Sequence, residues 1–187
     1  MRAGGRAGGW RPKPGLLVTI SESFQLPSGT VVVGIGNTIL SDDGAGVHAA
    51  RMLQADVRMP AGATILDGGT LGLALAPYLS EASRVLLLDA ADSGAAPGTL
   101  THMTGAELLA SAGGRSVHSL GVADLVAALA LMSAGPQEII LLGVQPSNTH
   151  CGTSLSAEVE AALPRLVDAA LAQLALWAES SDSGIDG

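Results

Sequence analysis

The amino-acid sequence predicts an α/β fold, a three-layer α/β/α sandwich. Short β-branched or aliphatic runs alternate with longer helical patterns through the middle of the chain. Of the 187 residues, 48% are hydrophobic but only 2% are aromatic, so small aliphatic side chains on regular elements must fill the core. This length suits one compact domain with modest tails.

The first half of the alternation opens with a βαβ unit. The first strand is expected at residues 31–36 (VVVGIG), a helix opens at Ser41 (SDDGAGVHAARML), and the second strand is expected at 63–67 (ATILD). The next helix should begin near Thr70, a good N-cap residue, and continue through LGLALAPYL. The third strand, 84–90 (RVLLLDA), is continuously apolar, which indicates burial on both faces.

The second half supplies two more strands. TLTHM (99–103) follows a turn-forming segment and reads as a weak strand on an exposed edge, and a short helix is expected around Ala106–Ala112. The loop GGRSVH then leads to a longer helix. Its apolar residues recur at i, i+3, i+4 and i+7, a stripe that should face the core: Val122, Leu125, Val126 and Leu129. EIILLGV (138–144) is the last strand.

The two ends of the chain are expected to lie outside the domain. Residues 1–28 predict a flexible N-terminal extension and 179–187 a disordered tail, because their composition buries little and turns often. The domain therefore covers 29–178. Its final helix, from about Ser156 to Ala178, contains Pro164, which removes a backbone hydrogen bond and predicts a kink or a restart.

Composition and charge exclude several classes of partner. The net charge of −8 and pI of about 4.7 leave no positive field for a nucleic-acid backbone. No continuous apolar run approaches the roughly 18–20 residues needed to span a bilayer, so no membrane association is expected. Cys151 is the lone cysteine and cannot form an internal disulfide, which fits a reducing compartment, and the cytoplasm is the expected location.

A glycine turn follows the first strand. Gly34, Gly36 and Asn37 resemble the start of a dinucleotide fingerprint, but Ile39 stands where the third glycine is required. Two glycines at a strand end would still let a ligand or another chain approach the backbone closely. A simple strand-to-helix turn explains them equally well.

Four carboxylates stand at expected strand or helix ends. Asp42 and Asp43 open a helix, where a carboxylate can cap free N–H groups; being adjacent, they must point apart, so one can cap while the other faces a crevice. Asp89 ends an apolar strand with no basic neighbour in sequence, which favours a functional role over a structural one. Asp67 precedes two glycines, so turn and function weigh equally.

The four histidines differ in how well their expected positions suit a metal ligand. His118 lies just before a helix and can present an imidazole nitrogen to a metal. His48 is expected on a helix flank and His102 on the edge strand. His150 and Cys151 supply only half a metal site, so a solvated loop is favoured there. The signatures G-x-S-x-G, H-E-x-x-H and C-x-x-C are all missing from the sequence.

Five strings carry a family resemblance: GIGNTILSDDGAGVHAARML, ILDGGT, LLLDAADSGAAPGT, VHSLGVADLVAAL and LLGVQP. In this order and spacing they resemble the hydrogenase maturation endopeptidases. The resemblance implies a mostly parallel five-strand twisted sheet in the order 2-1-3-5-4, with TLTHM as its one antiparallel strand. The chain departs from the family at its front, where roughly 28 residues precede the first strand.

The resemblance also implies an activity. Such proteins remove a C-terminal extension from the nickel-loaded large-subunit precursor of a [NiFe] hydrogenase, and the nickel carried by that substrate is the recognition element. The family's metal-contacting and catalytic positions fall on Asp43, Asp89 and His118, and Asp67 matches a further acidic position. The glycine turn would receive the substrate, and a monomer is expected.

Two questions stay open from the sequence. Cleavage could use a metal-polarised water or an aspartate as general base. The competing functions are a non-enzymatic nickel chaperone that uses the same ligands and a nucleotide-binding regulatory module built on the turn at Gly34 and Gly36.

Overall fold

The computed structural model describes residues 17–18, 29–111, 120–133 and 135–182. In this part of the chain, one sheet is covered by helices on both faces. The predicted three-layer α/β/α sandwich is confirmed. Its two hydrophobic clusters lie on opposite faces of the sheet, one beneath the first and last helices and one beneath the helices between them.

The sheet contains six strands within the described residues: β1 Leu17–Val18, β2 Thr30–Ile35, β3 Ala63–Gly69, β4 Arg84–Ala90, β5 Leu100–Thr104 and β6 Glu138–Val144. Their order is β1-β3-β2-β4-β6-β5, and only the pairing of β5 with β6 is antiparallel. Strands β2 to β6 confirm the expected order 2-1-3-5-4. The two-residue strand β1 is additional and lies inside the segment expected to be a flexible extension.

The helices are α1 Ala45–Ala55, α2 Ala76–Leu79, α3 Gly105–Ser111, α4 Leu120–Leu131 and α5 Ala157–Asp182. Single 3-10 turns at Ser41–Gly44 and Gly72–Leu75 precede α1 and α2. Thr70 is not the N-cap that the sequence suggested. It follows Gly69, which has a positive φ of 46°, and the 3-10 turn starts only at Gly72, where φ is 50°. The two left-handed glycines delay the helix.

Alternate residues of the central strand enter the two layers of core. Leu86 and Leu88 of β4 belong to the cluster beneath α1 and α5, whereas Val85 and Leu87 belong to the cluster beneath α2 and α4. All four are fully buried, which confirms the two-sided burial expected from the apolar run. The stripe on α4 is buried as predicted and completes the second layer.

Helix α5 is longer and more continuous than the sequence suggested. It passes through Pro164 as one element, so the expected restart is not seen, and it reaches Asp182, four residues past the expected boundary at Ala178. Pro164 lies on the exposed side, where water can bond to the carbonyl that loses its partner. By length and composition, α5 is the one helix in the described residues that could cross a membrane, but one of its faces packs into the core.

Candidate functional site

Asp43 and Asp89 lie together at the carboxyl edge of the sheet. Asp89 is the penultimate residue of β4, and Asp43 lies in the 3-10 turn that follows β2, the neighbouring strand. At Gly46 a Cβ atom would overlap the carbonyl oxygen of Leu88, so the first turn of α1 presses directly against the end of β4. The negative charge of Asp43 acts on Asp89 across this contact.

Asp89 is a buried carboxyl group with an altered proton affinity. Its residue is 7% exposed, and its Oδ1 accepts a hydrogen bond of 2.8 Å from the amide of Ala90. Burial, reinforced by the charge of Asp43, outweighs this hydrogen bond and raises the pKa of Asp89 to about 8. A carboxyl group with this pKa is largely protonated at neutral pH.

Asp43 is half-buried and is held by the glycine turn. Its Oδ2 accepts a hydrogen bond of 2.8 Å from the amide of Asn37. Gly36, at a φ of 125°, crosses so close to Asp43 that a Cβ atom would overlap the carbonyl oxygen of Asp43. A Cβ atom at Gly34 would lie 2.6 Å from that of Ala50, so this glycine lets α1 approach the sheet. These internal contacts explain both glycines, and the approach of substrate to the turn stays a prediction.

Asp42, next in the chain, points away from Asp43. It is fully buried, and its carboxylate accepts hydrogen bonds from residues in the loop between β6 and α5. Burial raises its pKa, but the amides of Ser156, Asn148 and Ser147 together lower it further, so the net pKa lies below its usual value. The expectation that one of the two adjacent aspartates binds backbone amides is met by Asp42, and the orientation of Asp43 toward a crevice stays a prediction. The amides belong to a distant loop rather than to its own helix.

Asp67 lies within β3 and is not a turn residue. It is opposite Gly34 in the sheet register, and its Oδ2 is 3.3 Å from a guanidinium nitrogen of Arg51 on α1. This partly exposed ion pair accounts for the charge of Asp67. Its part in the site stays a prediction.

The histidines are placed as follows. His118 lies outside the described residues, which resume at Leu120, the first residue of α4. His48 is half-buried on α1, and burial together with Arg51 lowers its pKa. His102 on β5 and His150 are exposed. Among the described residues, no group of three or more His, Cys, Asp or Glu is placed to share a metal ion.

Gln145 anchors the loop that follows Asp89, a role that no sequence motif predicted. It is buried, and its side-chain oxygen accepts hydrogen bonds from the amides of Ser93 (2.8 Å) and Ala95 (3.3 Å). Its amide nitrogen donates to Oδ1 of Asp92 at 3.0 Å. Gln145 thereby shapes the loop that directly follows Asp89. The available signal was a polar residue immediately after the apolar strand in LLGVQP.

Exposed aliphatic side chains flank the carboxyl edge. Ile39 follows β2 and is 62% exposed, while Leu71 and Leu73 follow the neighbouring β3 and are 45% and 54% exposed. An amide-to-carbonyl hydrogen bond of 2.9 Å from Gly36 to Gly69 joins the two loops. We call these three residues the apolar rim. Large apolar side chains grouped at a polar site are typical of surfaces that bind other chains.

Comparisons with known proteins agree with this architecture. A sequence model of the hydrogenase maturation protease family matches residues 47–173. The chain is 37% identical over 148 residues to the hydrogenase expression/formation protein HupM of Azotobacter chroococcum, covering 78% of this chain and 71% of that protein. It is 32% identical over 146 residues to the hydrogenase 2 maturation protease of Escherichia coli, covering 77% and 89%.

Solved structures of hydrogenase maturation proteases also share this architecture. The hydrogenase maturating endopeptidase HybD from Escherichia coli superposes with a TM-score of 0.71 at 31% identity, covering 83% of this chain and 93% of that one. The [NiFe] hydrogenase maturation protease HybD from Thermococcus kodakarensis superposes with a TM-score of 0.60 at 28% identity, covering 75% and 95%.

Proposed function

Since this chain belongs to the hydrogenase maturation protease family, we propose that it is an endopeptidase that removes the C-terminal extension of a [NiFe] hydrogenase large-subunit precursor. The observation that carries this proposal is the pair of carboxylates, Asp43 and Asp89, at the edge where loops of a parallel sheet form ligand sites. The precursor's cleavage segment would approach from this edge, beside the apolar rim.

The nickel carried by the precursor is the recognition element in this proposal. Two carboxylates and one imidazole, from Asp43, Asp89 and His118, form a donor set that nickel accepts and leave further positions for the substrate's own ligands. The raised pKa of Asp89 supports a cation site, because a positive ion between the two carboxyl groups would relieve both the burial of charge and the repulsion from Asp43. The part of His118 rests on the family resemblance.

The same pair of carboxylates suits the cleavage step. A group whose pKa of about 8 lies near the operating pH can accept and return a proton efficiently, which fits Asp89 as a general base or acid. Nickel at this site would supply Lewis-acid polarisation of a carbonyl or water. If Asp89 acts as the general base, it must change its protonation state during turnover. If nickel polarises the attacking water or the carbonyl, this change is not required.

The competing functions are less well supported. A nucleotide-binding module would need the glycine turn to receive phosphate, but Gly34 and Gly36 are occupied by contacts with α1 and with the backbone of Asp43. A nickel chaperone would use the same ligands, yet it would need to hold free nickel. The closed contacts at the turn favour the protease over the first alternative, and experiment separates it from the second.

The decisive experiment is incubation of the purified chain with a large-subunit precursor, with and without nickel, followed by mass measurement of the products. The proposal expects shortening of the nickel-loaded precursor alone. Equal cutting of nickel-free precursor would contradict nickel recognition. Tight binding of free nickel together with an unchanged precursor mass would favour the chaperone.

A further inference from the structure

Asp42 is a buried anion that binds one distant loop through its carboxylate. Its Oδ1 accepts a hydrogen bond of 2.6 Å from the amide of Ser156, and its Oδ2 accepts from the Ser156 hydroxyl at 2.8 Å. The amides of Ser147 and Asn148 each donate to Oδ2 at 2.9 Å. Among the ion pairs of the described residues Asp42 has no cationic partner, so these N–H and O–H groups stabilise its charge.

Backbone hydrogen bonds tie the same loop to the residues just before Asp43. The amide of Ser41 donates to Gly152 at 2.9 Å, and the amide of Gly152 donates to Ile39 at 3.0 Å. The amide of Asp42 donates to Asn148 at 3.0 Å. Three backbone hydrogen bonds therefore join the loop of residues 147–156 to the turn of residues 39–43, in addition to the contacts of the Asp42 carboxylate.

Ser41 shows that this pairing imposes a conformation. It is a non-glycine residue with a φ of 49°, in the left-handed region that only a few side chains tolerate. Such a conformation persists where the surroundings determine it, and here hydrogen bonds on both Ser41 and Asp42 do so. The next residue in the chain is Asp43.

We infer that Asp42 is a positioning residue for Asp43: by binding the loop of residues 147–156 it holds the turn that aims the Asp43 carboxylate into the site. This inference rests on the proposed function. Asp42 is fully buried and its carboxylate binds N–H and O–H groups of the loop, so it is not exposed to a substrate. It acts through the turn of residues 39–43. The Asp43 carboxylate, which this turn carries, accepts a hydrogen bond from the amide of Asn37.

The chemistry requires a carboxylate at this position. All four groups around Asp42 donate hydrogen bonds. An asparagine of the same shape would turn its own NH₂ group toward at least one of these donors and lose that hydrogen bond. Asp42→Asn therefore loosens the loop without changing the volume of the buried side chain.

The test compares Asp42→Asn with the wild type by precursor cleavage and by amide hydrogen exchange. We expect kcat to fall roughly 10- to 100-fold, as for a small misplacement of a reacting group, while KM changes less than about 2-fold. The amide of Asn37, which reports on the Asp43 carboxylate, should exchange at least about 10-fold faster. Ser156→Ala, which removes one of the four donors, should show the same changes to a smaller extent.

Leu174→Ala is the matched control for lost stability. Leu174 is buried in α5 at the opposite edge of the sheet, so this variant should lower Tm and leave kcat unchanged below Tm. A kcat loss in Asp42→Asn no larger than in a control of equal Tm would overturn the inference. Unchanged hydrogen exchange at the Asn37 amide of Asp42→Asn would also overturn the inference, whatever the activity of this variant.

Two further outcomes keep this inference separate from the proposed function. If the wild type itself fails to cut nickel-loaded precursor, the proposed function fails, and exchange at Asn37 in Asp42→Asn still decides the positioning role. If Asp42→Asn does not fold, Ser156→Ala decides it. A wild-type kcat and unchanged Asn37 exchange in Ser156→Ala would then refute the role.

Discussion

Three aspartates near the carboxyl edge show how local donors decide the charge of a buried carboxyl group. Asp42 is surrounded by amide and hydroxyl donors, which lower its pKa despite full burial. Asp89 is nearly as buried but accepts one hydrogen bond, from Ala90, and faces the charge of Asp43, so its pKa rises to about 8. Burial raises both values; at Asp42 the surrounding donors outweigh it, whereas at Asp89 burial and the charge of Asp43 outweigh the one hydrogen bond.

Removing either carboxylate of the pair should strongly reduce processing while the protein stays folded. We predict that Asp43→Ala and Asp89→Ala each lower kcat/KM for nickel-loaded precursor on the order of 10²-fold or more, because in the proposed function each carboxylate acts at the reacting bond. His118→Ala is expected to behave in the same way. Asp168→Ala, at an exposed carboxylate on α5, is the control and should retain activity. Full activity in all three site variants would refute the assignment.

The raised pKa of Asp89 predicts an unusual dependence of stability on pH. Its ordinary value of 3.8 applies to the unfolded chain, and its folded value is about 8. Between these values the folded protein binds the extra proton, so the contribution of Asp89 is present at low pH and is lost as pH rises. The slope is at most about 1.4 kcal/mol per pH unit. Asp42 has a lowered pKa, so its contribution to stability has the opposite pH dependence: it is present above the usual pKa of the group and is lost as the pH falls below that value.

Urea unfolding of the wild type and Asp89→Asn at pH 5 and pH 7 measures this slope. The variant cannot titrate at this position, so the difference in unfolding free energy between variant and wild type should move in the variant's favour at the higher pH. A difference that is the same at both pH values would show that Asp89 has an ordinary pKa.

The sequence carried the information for Asp89 but not for Asp42. A carboxylate at the end of LLL, without a basic neighbour, already favoured a functional role, which stays a prediction. The partners of Asp42 lie more than one hundred positions further along the chain, so no local pattern could reveal them. The same holds for Gln145, whose partners follow a different strand. Contacts between residues that are distant in the sequence can be identified only once the fold is known.

At the scale of elements, the close approach of α1 to the sheet brings Asp43 to Asp89. Gly34 and Gly46 make this approach possible, since a Cβ atom at either would meet backbone atoms of the neighbouring element. The strands could be predicted because their apolar runs are continuous. The helix starts were harder, as at Thr70, because left-handed glycines outweighed a favourable capping residue.

Gly46→Ala should separate α1 from the sheet. The added methyl group overlaps the carbonyl oxygen of Leu88, which cannot move without disturbing β4, so we predict a loss of about 1–3 kcal/mol in unfolding free energy and reduced processing. Gly62→Ala is the matched control, because no heavy atom beyond its neighbours in the chain lies within 4 Å of its added methyl group. Equal stability of the two variants in denaturant titrations would show that α1 has room to adjust.

The loops bearing the apolar rim should contribute to precursor binding. We predict that Ile39→Ser and Leu71→Ser each raise KM by roughly 10-fold with little change in kcat, because burying one large aliphatic side chain is worth about 1.5–3 kcal/mol. Val57→Ser is the control, since Val57 is 99% exposed and lies after α1 rather than at the carboxyl edge. Steady-state cleavage kinetics distinguish them, and an equal rise in KM for Val57→Ser would argue against a defined docking surface.

At the scale of the whole molecule, the two edges of the sheet bear different features. The carboxyl edge bears the carboxylate pair, and the amino edge bears a cavity of about 360 Å³ beside Arg84 and Trp177. The alternation of strands and helices predicted the layers, whereas the strand order came from the family resemblance. A single sequence does not show which strands pair, because register depends on the packing of all layers together.

This division predicts that stability can be changed at the amino edge without loss of processing. The guanidinium of Arg84 lies 5.9 Å from the ring centroid of Trp177 and donates to Trp177 O and to the hydroxyl of Ser180, so it ties the end of α5 to β4. We predict that Arg84→Ala lowers the unfolding free energy by about 1–3 kcal/mol, while kcat/KM for nickel-loaded precursor stays within about 2-fold of wild type. Denaturant titration and cleavage assays on the same preparation measure both. A loss of activity well below Tm would mean that the two edges are coupled through β4, whose far end holds Asp89.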